Sequence, residues 1–213
     1  SLGHTAAASE QIRAAVDAGA TMSTHLGNGA HRELPRHPNY LWDQLAEDRL
    51  TASLIVDGHH LPPAVVKAFW RAKLEERIVL VSDLSGLAGM PAGRYASELC
   101  DLEILDDGRL VVAGQRQLLA GASRPIGDGV ANLMAFAGVG LKTAVEAASL
   151  RPMRLLWPRL PALRLPALQQ SGGGDFQKAA TSQAVTSEIE GLAIGAAADL
   201  VLFDLTPAAN AAA

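Results

Sequence analysis

Between residues 1 and 83 the apolar positions switch repeatedly between helical and strand spacing. Residues 7–18 set Ile12, Ala15 and Val16 on one helical face, with Gly19 placed to end the helix. Residues 20–25 form a short strand candidate, and residues 39–48 return to helical spacing through Leu41, Trp42 and Leu45. Residues 51–56 are apolar and partly β-branched, closed by Asp57-Gly58. Pro62 then stands where a helix would begin, followed by Val65, Val66, Phe69 and Trp70 on one face. Residues 78–81 are a continuous apolar run, the pattern of a strand covered on both faces. The opening Ser1-Leu2-Gly3-His4 reads as the end of a strand already under way, which predicts sequence upstream of it. The order β-α-β-α-β-α-β predicts parallel right-handed units, either closed as a barrel or left as an open doubly wound sheet.

Beyond residue 90 the pattern changes. Residues 95–105 and 110–113 flank Asp106-Asp107-Gly108, a predicted hairpin turn. Two helices are predicted over residues 128–137 and 141–150. Residues 154–187 repeat Leu, Pro and Arg and then turn Gly- and Ser-rich, which reads as a low-complexity insertion or linker. Residues 188–206 return to an ordered pattern ending in a strand rich in Val, Leu and Phe, and residues 207–213 are expected to be a disordered tail.

Composition narrows the options. Half of the 213 residues are apolar and a fifth are charged, as in a globular protein, and aromatics are few. A net charge of −4 with scattered Arg and Lys argues against a nucleic-acid surface. No apolar run is long enough to span a bilayer, and no signal peptide opens the chain. The single cysteine, Cys100, excludes an internal disulfide, fits a cytoplasmic setting, and reads as a small buried hydrophobe in a strand.

The candidate chemistry lies where the strands end. His4, His25 and Asp83 close strand candidates, and the His59-His60 pair follows one closely. In barrels and open α/β sheets alike, the carboxyl edge is where ligands bind. Neutral imidazoles suit Zn or Fe, but a catalytic site needs about three protein ligands, and only two histidines are offered. An Asp at the end of "IVLVSD" suits general acid–base work, or equally a turn cap.

The ordered set "SLGHT", "THLGNGAH", "DGHHLPP" and "LVSDLSGLAG" resembles the N-acetylglucosamine-6-phosphate deacetylases of the amidohydrolase superfamily, and "EIEGLAIGAAADLVLFDL" is similar to their closing β-sandwich strand. The resemblance covers residues 1–155 and 188–205. It implies the C-terminal half of a (β/α)8 barrel, strands five to eight, over residues 1–153, plus a terminal strand of a small β-sandwich domain. It implies that His4 and His25 ligate a divalent metal, Zn or Fe, and that Asp83 is the catalytic acid–base. Asn28, Gly29, Arg36 and His60 then match substrate-binding positions, Arg36 and His60 toward the phosphate. Ala120 and Gly121, in "LLAGAS", match a small-residue substrate loop. The implied reaction hydrolyses the acetamide of N-acetylglucosamine 6-phosphate to glucosamine 6-phosphate and acetate. The implied protein is cytoplasmic and homo-oligomeric, with a small amino-sugar phosphate as partner and neither nucleic acid nor membrane.

Departures from the family pattern touch the sugar loop. Gly27 precedes Asn28, Gly29-Ala30-His31 follows it, and Arg36 sits between Pro35 and His37. His31 and His37 read as loop surface, and His59 occupies a position that is usually apolar. The family's Glu ligand and strand-one His-x-His are not in this sequence, so the chain is expected to be a fragment, inactive on its own. Two other readings stand beside the first: an amidohydrolase of another small N-acyl or cyclic amide, and a non-catalytic degenerate half-barrel.

Overall fold

The computed structural model describes residues 1–97 and 100–156. All of these residues lie in one compact unit. The expected linker over 157–187, the β-sandwich strand over 188–206 and the tail over 207–213 fall outside the described residues.

The first half is a parallel sheet with helices between its strands. Helix α1 (Ser9–Asp17) leads to β1 (Met22–Ser23), α2 (Tyr40–Ala46) to β2 (Thr51–Leu54), and α3 (Pro63–Lys73) with a short 3-10 turn to β3 (Ile78–Leu80). The strands lie in the order β1-β2-β3, and Leu2 adds an isolated parallel bridge to Ser23. Met22 pairs with Thr51 and Ala52 with Ile78, so successive strands bring their carboxyl ends to one edge.

Local chemistry sets the helix ends. Asn39 caps α2, its side-chain oxygen accepting from Leu41 N at 3.1 Å and Trp42 N at 3.2 Å. Pro62 and Pro63 open α3, where missing N–H groups leave no intrahelical bond unmade. Lys73, at the other end of α3, is wholly buried and donates from Nζ to Glu47 O at 2.6 Å. Burial holds its ammonium pKa down at about 8.

A second sheet follows, antiparallel in the order β4-β5-β6-β7: Gly93–Tyr95, Leu102–Ile104, Leu110–Val112 and Gln115–Leu119. The single run expected over residues 95–105 is thus two strands. Ser97 Oγ donates to Cys100 O at 2.7 Å across the bend between them. Cys100 is consequently exposed rather than buried. Strand β7 was not expected from the sequence, because its Gln-Arg-Gln start lies on an exposed edge with no apolar alternation to betray it.

Helices α4 (Ile126–Ala137), α5 (Leu141–Ala148) and α6 (Leu150–Leu156) close the described chain. Helix α4 starts two residues before the expected position, immediately after Pro125, and ends on the left-handed Gly138. Helix α6 carries regular structure to residue 156, past the point where the linker was expected to begin. Pro152 is tolerated there because it falls in the first helical turn.

The core lies between the parallel sheet and α3, α4 and α5. Leu54, Val66, Ile78, Leu133 and Ala144 are all fully buried in it. Helix α2 turns differently from its apolar spacing: Tyr40, Gln44 and Leu45 are buried, and Trp42 is 55% exposed. We predict that Leu54→Ala costs about 2–5 kcal/mol in urea denaturation, whereas Trp42→Ala shifts stability by no more than about 0.5 kcal/mol. Equal costs would mean that the sheet face is packed otherwise.

Candidate functional site

Among the described residues four non-glycine positions have positive φ: His4 (47°), His25 (28°), Leu74 (58°) and Asp83 (52°). Three of them are the strand-end residues on which the sequence concentrates its chemistry. Left-handed backbone is uncommon for residues with a Cβ, and it persists where the surroundings over-determine it, often at functional sites.

His4 and His25 meet directly. Their Nε2 atoms are 3.0 Å apart and the rings stand edge to face at 83°. Two imidazoles bound to one tetrahedral ion at about 2.0–2.1 Å hold their nitrogens about 3.3 Å apart, so the pair is close to the spacing that one shared metal requires. His25 is buried, and its Nδ1 has no hydrogen-bond partner among the described residues. The two side chains therefore fit a metal as part of its ligand set. Among the described residues no group of three or more His, Cys, Asp or Glu side chains comes close enough to hold an ion.

The loop after β1 wraps this pair. Asn28 N donates to His25 O at 2.9 Å. Gly29 has φ 65°, and a Cβ there would lie 3.2 Å from the His4 ring, so the close approach of loop to imidazole requires glycine. His4, Asn28 and Gly29 line a small concavity of about 20 Å³, room for about one water, with Tyr40 and Gln44 at its inner side. Tyr40 was not singled out in the sequence. Its hydroxyl accepts from His31 N and lies against His31 Nδ1, both at 2.9 Å, tying the exposed His31 back to α2. Arg36 and His37 are exposed, and Arg36 does not line the concavity.

The next strand end carries a second histidine pair with different surroundings. His60 Nδ1 donates to Asp57 Oδ2 at 2.7 Å, and the side chains are only 1% and 6% exposed. Asp57 Oδ1 also accepts from His59 N and His60 N, each at 2.9 Å. Burial by itself would raise the Asp57 pKa. The hydrogen bonds from His60 and His59, with the His60 charge, outweigh it and bring the carboxyl down to about 2. An ionised Asp57 can only accept, so Nδ1 of His60 carries a proton and is the donor in this pair. Asp57 was not singled out from the sequence, although the "DGHH" spacing contained it. His59 Nε2 is buried without a partner among the described residues.

Asp83 ends the parallel sheet and is exposed. Its backbone oxygen accepts from Ala122 N at 3.1 Å, and Ser85 N donates to Ala122 O at 2.9 Å. The residue 118–123 loop is thereby laid beside the strand end. A Cβ on Gly121 (φ 98°) would stand 3.8 Å from Asp83 O. Ala120 N is committed to Leu110 O at 3.0 Å. The structure thus gathers His4, His25, Asn28 and Gly29 in one place and Asp83 with Gly121 in another.

A mixed α/β unit with strained polar residues at the carboxyl ends of its parallel strands is the arrangement of an α/β enzyme domain. No family model matches the chain. It is 39% identical over 155 residues to N-acetylgalactosamine-6-phosphate deacetylase of Escherichia coli O157:H7, covering 73% of this chain and 40% of that protein. An Escherichia coli K12 protein, provisionally named N-acetylgalactosamine-6-phosphate deacetylase, is 36% identical over 132 residues, 62% of this chain and 77% of that one. The solved structure of N-acetyl-D-glucosamine-6-phosphate deacetylase from Mycobacterium smegmatis superposes with a TM-score of 0.66 at 32% identity, over 72% of this chain and 41% of its own. The chain belongs to the family of N-acetylglucosamine- and N-acetylgalactosamine-6-phosphate deacetylases. It spans about 40% of the length of the first of these relatives.

The depressed Asp57 pKa gives a pH-dependent outcome. Its folded value, about 2, lies below the ordinary 3.8. The stabilisation is therefore complete above about pH 4 and lost as pH falls through about 2. Urea midpoints measured across this window should fall more steeply for the wild type than for Asp57→Asn. Parallel curves would remove Asp57 as the ionised partner of His60.

Proposed function

We propose that this chain forms the C-terminal half of a metal-dependent deacetylase barrel that hydrolyses the acetamide of N-acetylglucosamine 6-phosphate. The observation that carries the reading is the convergence of His4 and His25 through strained backbone at the sheet edge. Membership of the deacetylase family supports the reaction class. The parallel order of Leu2, β1, β2 and β3 supports the assignment to barrel strands five to eight.

In this reading a divalent metal, Zn or Fe, would be held by His4 and His25 with further ligands from outside the described residues, lowering the pKa of water and polarising the acetamide carbonyl. Asp83 takes the proton from the attacking water and delivers it to the departing amine, so that acetate and glucosamine 6-phosphate leave. Asn28 and Gly29 orient the sugar beside His4, and the Gly121 loop closes against Asp83. Arg36 and His60 bind the phosphate, fixing the substrate at a distance from the scissile bond. The terminal β-sandwich strand, a homo-oligomeric state and a cytoplasmic setting belong to the same reading. The galacto epimer is a second candidate substrate, favoured by the name of the relative that is 39% identical.

Phosphate recognition gives the test. Binding of glucosamine 6-phosphate and of glucosamine would be compared by calorimetry for the wild type and Arg36→Ala. Loss of a charge-assisted contact should weaken the phosphorylated sugar by about 10-fold or more and leave the other unchanged. Equal weakening of both would remove Arg36 as a phosphate ligand and, with it, the support for a sugar-phosphate substrate.

A further inference from the structure

A ligand histidine ordinarily takes its orientation from a partner on its second ring nitrogen. His25 Nδ1 is buried and has none among the described residues, so its ring is aimed by its backbone. That backbone sits at φ 28°, which must be held from outside. Ser53, on the adjacent strand β2, supplies the hold. Its Oγ accepts from His25 N at 2.6 Å and donates to Ser23 O at 3.3 Å, while its carbonyl accepts from Leu26 N at 2.8 Å. One hydroxyl proton and its lone pairs match these two side-chain roles. At 1% exposure the serine leaves little access for water to take over as acceptor. Ser23 Oγ, also buried, has no partner among the described residues. Burial of a hydroxyl is therefore common to both serines, and the grip on His25 belongs to Ser53.

We propose that Ser53 is a positioning residue for the metal pair: it fixes the His25 backbone so that Nε2 meets His4 Nε2, and thereby sets the affinity for a divalent cation. This rests on the reading of His4 and His25 as metal ligands.

The test is a Co²⁺ titration of the metal-free full chain, followed by visible absorption, with amide hydrogen exchange at His25 read in the absence of metal. Ser53→Ala should weaken Co²⁺ binding by about 10-fold or more and expose the His25 amide to exchange. Ser23→Ala should leave both as in the wild type. Should Ser53→Ala not fold, Ser53→Cys keeps a weaker acceptor at the same place, and an intermediate loss is expected. Unchanged Co²⁺ affinity in the folded Ser53 variant overturns the proposal and leaves the metal reading standing. Equal losses in the Ser53 and Ser23 variants also overturn it, since both hydroxyls would then act through packing alone. A wild-type chain that takes up no Co²⁺ overturns the metal reading and this proposal with it.

Discussion

Parallel pairing is the constraint on which the rest of this structure depends. Leu2 bridges Ser23, β1 pairs with β2, and β2 with β3, all in the same direction. Residues far apart in sequence are thereby delivered to one edge: His4, His25, Asp57 and Asp83 each follow directly on a paired segment. An antiparallel arrangement would send alternate members to the opposite edge. The helices between the strands make the parallel order possible and cover the sheet with Val66 and Phe69 of α3, joined in the core by Leu133 of α4.

The edge so formed is where the chain departs from comfortable backbone and complete hydrogen bonding. His4, His25 and Asp83 sit at positive φ, and His25 Nδ1 and His59 Nε2 are buried without partners among the described residues. A fold optimised for stability alone would remove both features. Asp57 and His60 represent the opposite solution, a pair in which the burial of the carboxylate is overcome by three hydrogen bonds and charge.

Much of this was legible in the sequence, for identifiable reasons. Strand β3 is a continuous apolar run, β2 leads into the apolar Leu54-Ile55-Val56, and α1, α3 and α5 carry regular apolar faces, so their existence followed from the pattern. Strand β7 was hidden because an exposed edge strand of Gln and Arg has no alternation to read. Helix α6 was hidden by Pro152, which the first turn accommodates. Cys100 and Trp42 misled because an apolar residue type does not fix which way its segment turns. At the edge, the histidines stood out by their position at strand ends. Ser53, Asp57 and Tyr40 did not, since a partner is defined by distance in space and not by spacing in the chain.

The proposed sharing of one metal ion by His4 and His25 is open to direct measurement. X-ray absorption on the zinc-loaded chain reads the ligand shell directly. Two imidazole nitrogens are expected at about 2.0–2.1 Å from each zinc, both lost when His4 and His25 are replaced together. A zinc shell of oxygen alone, or one unchanged in that double variant, would contradict it.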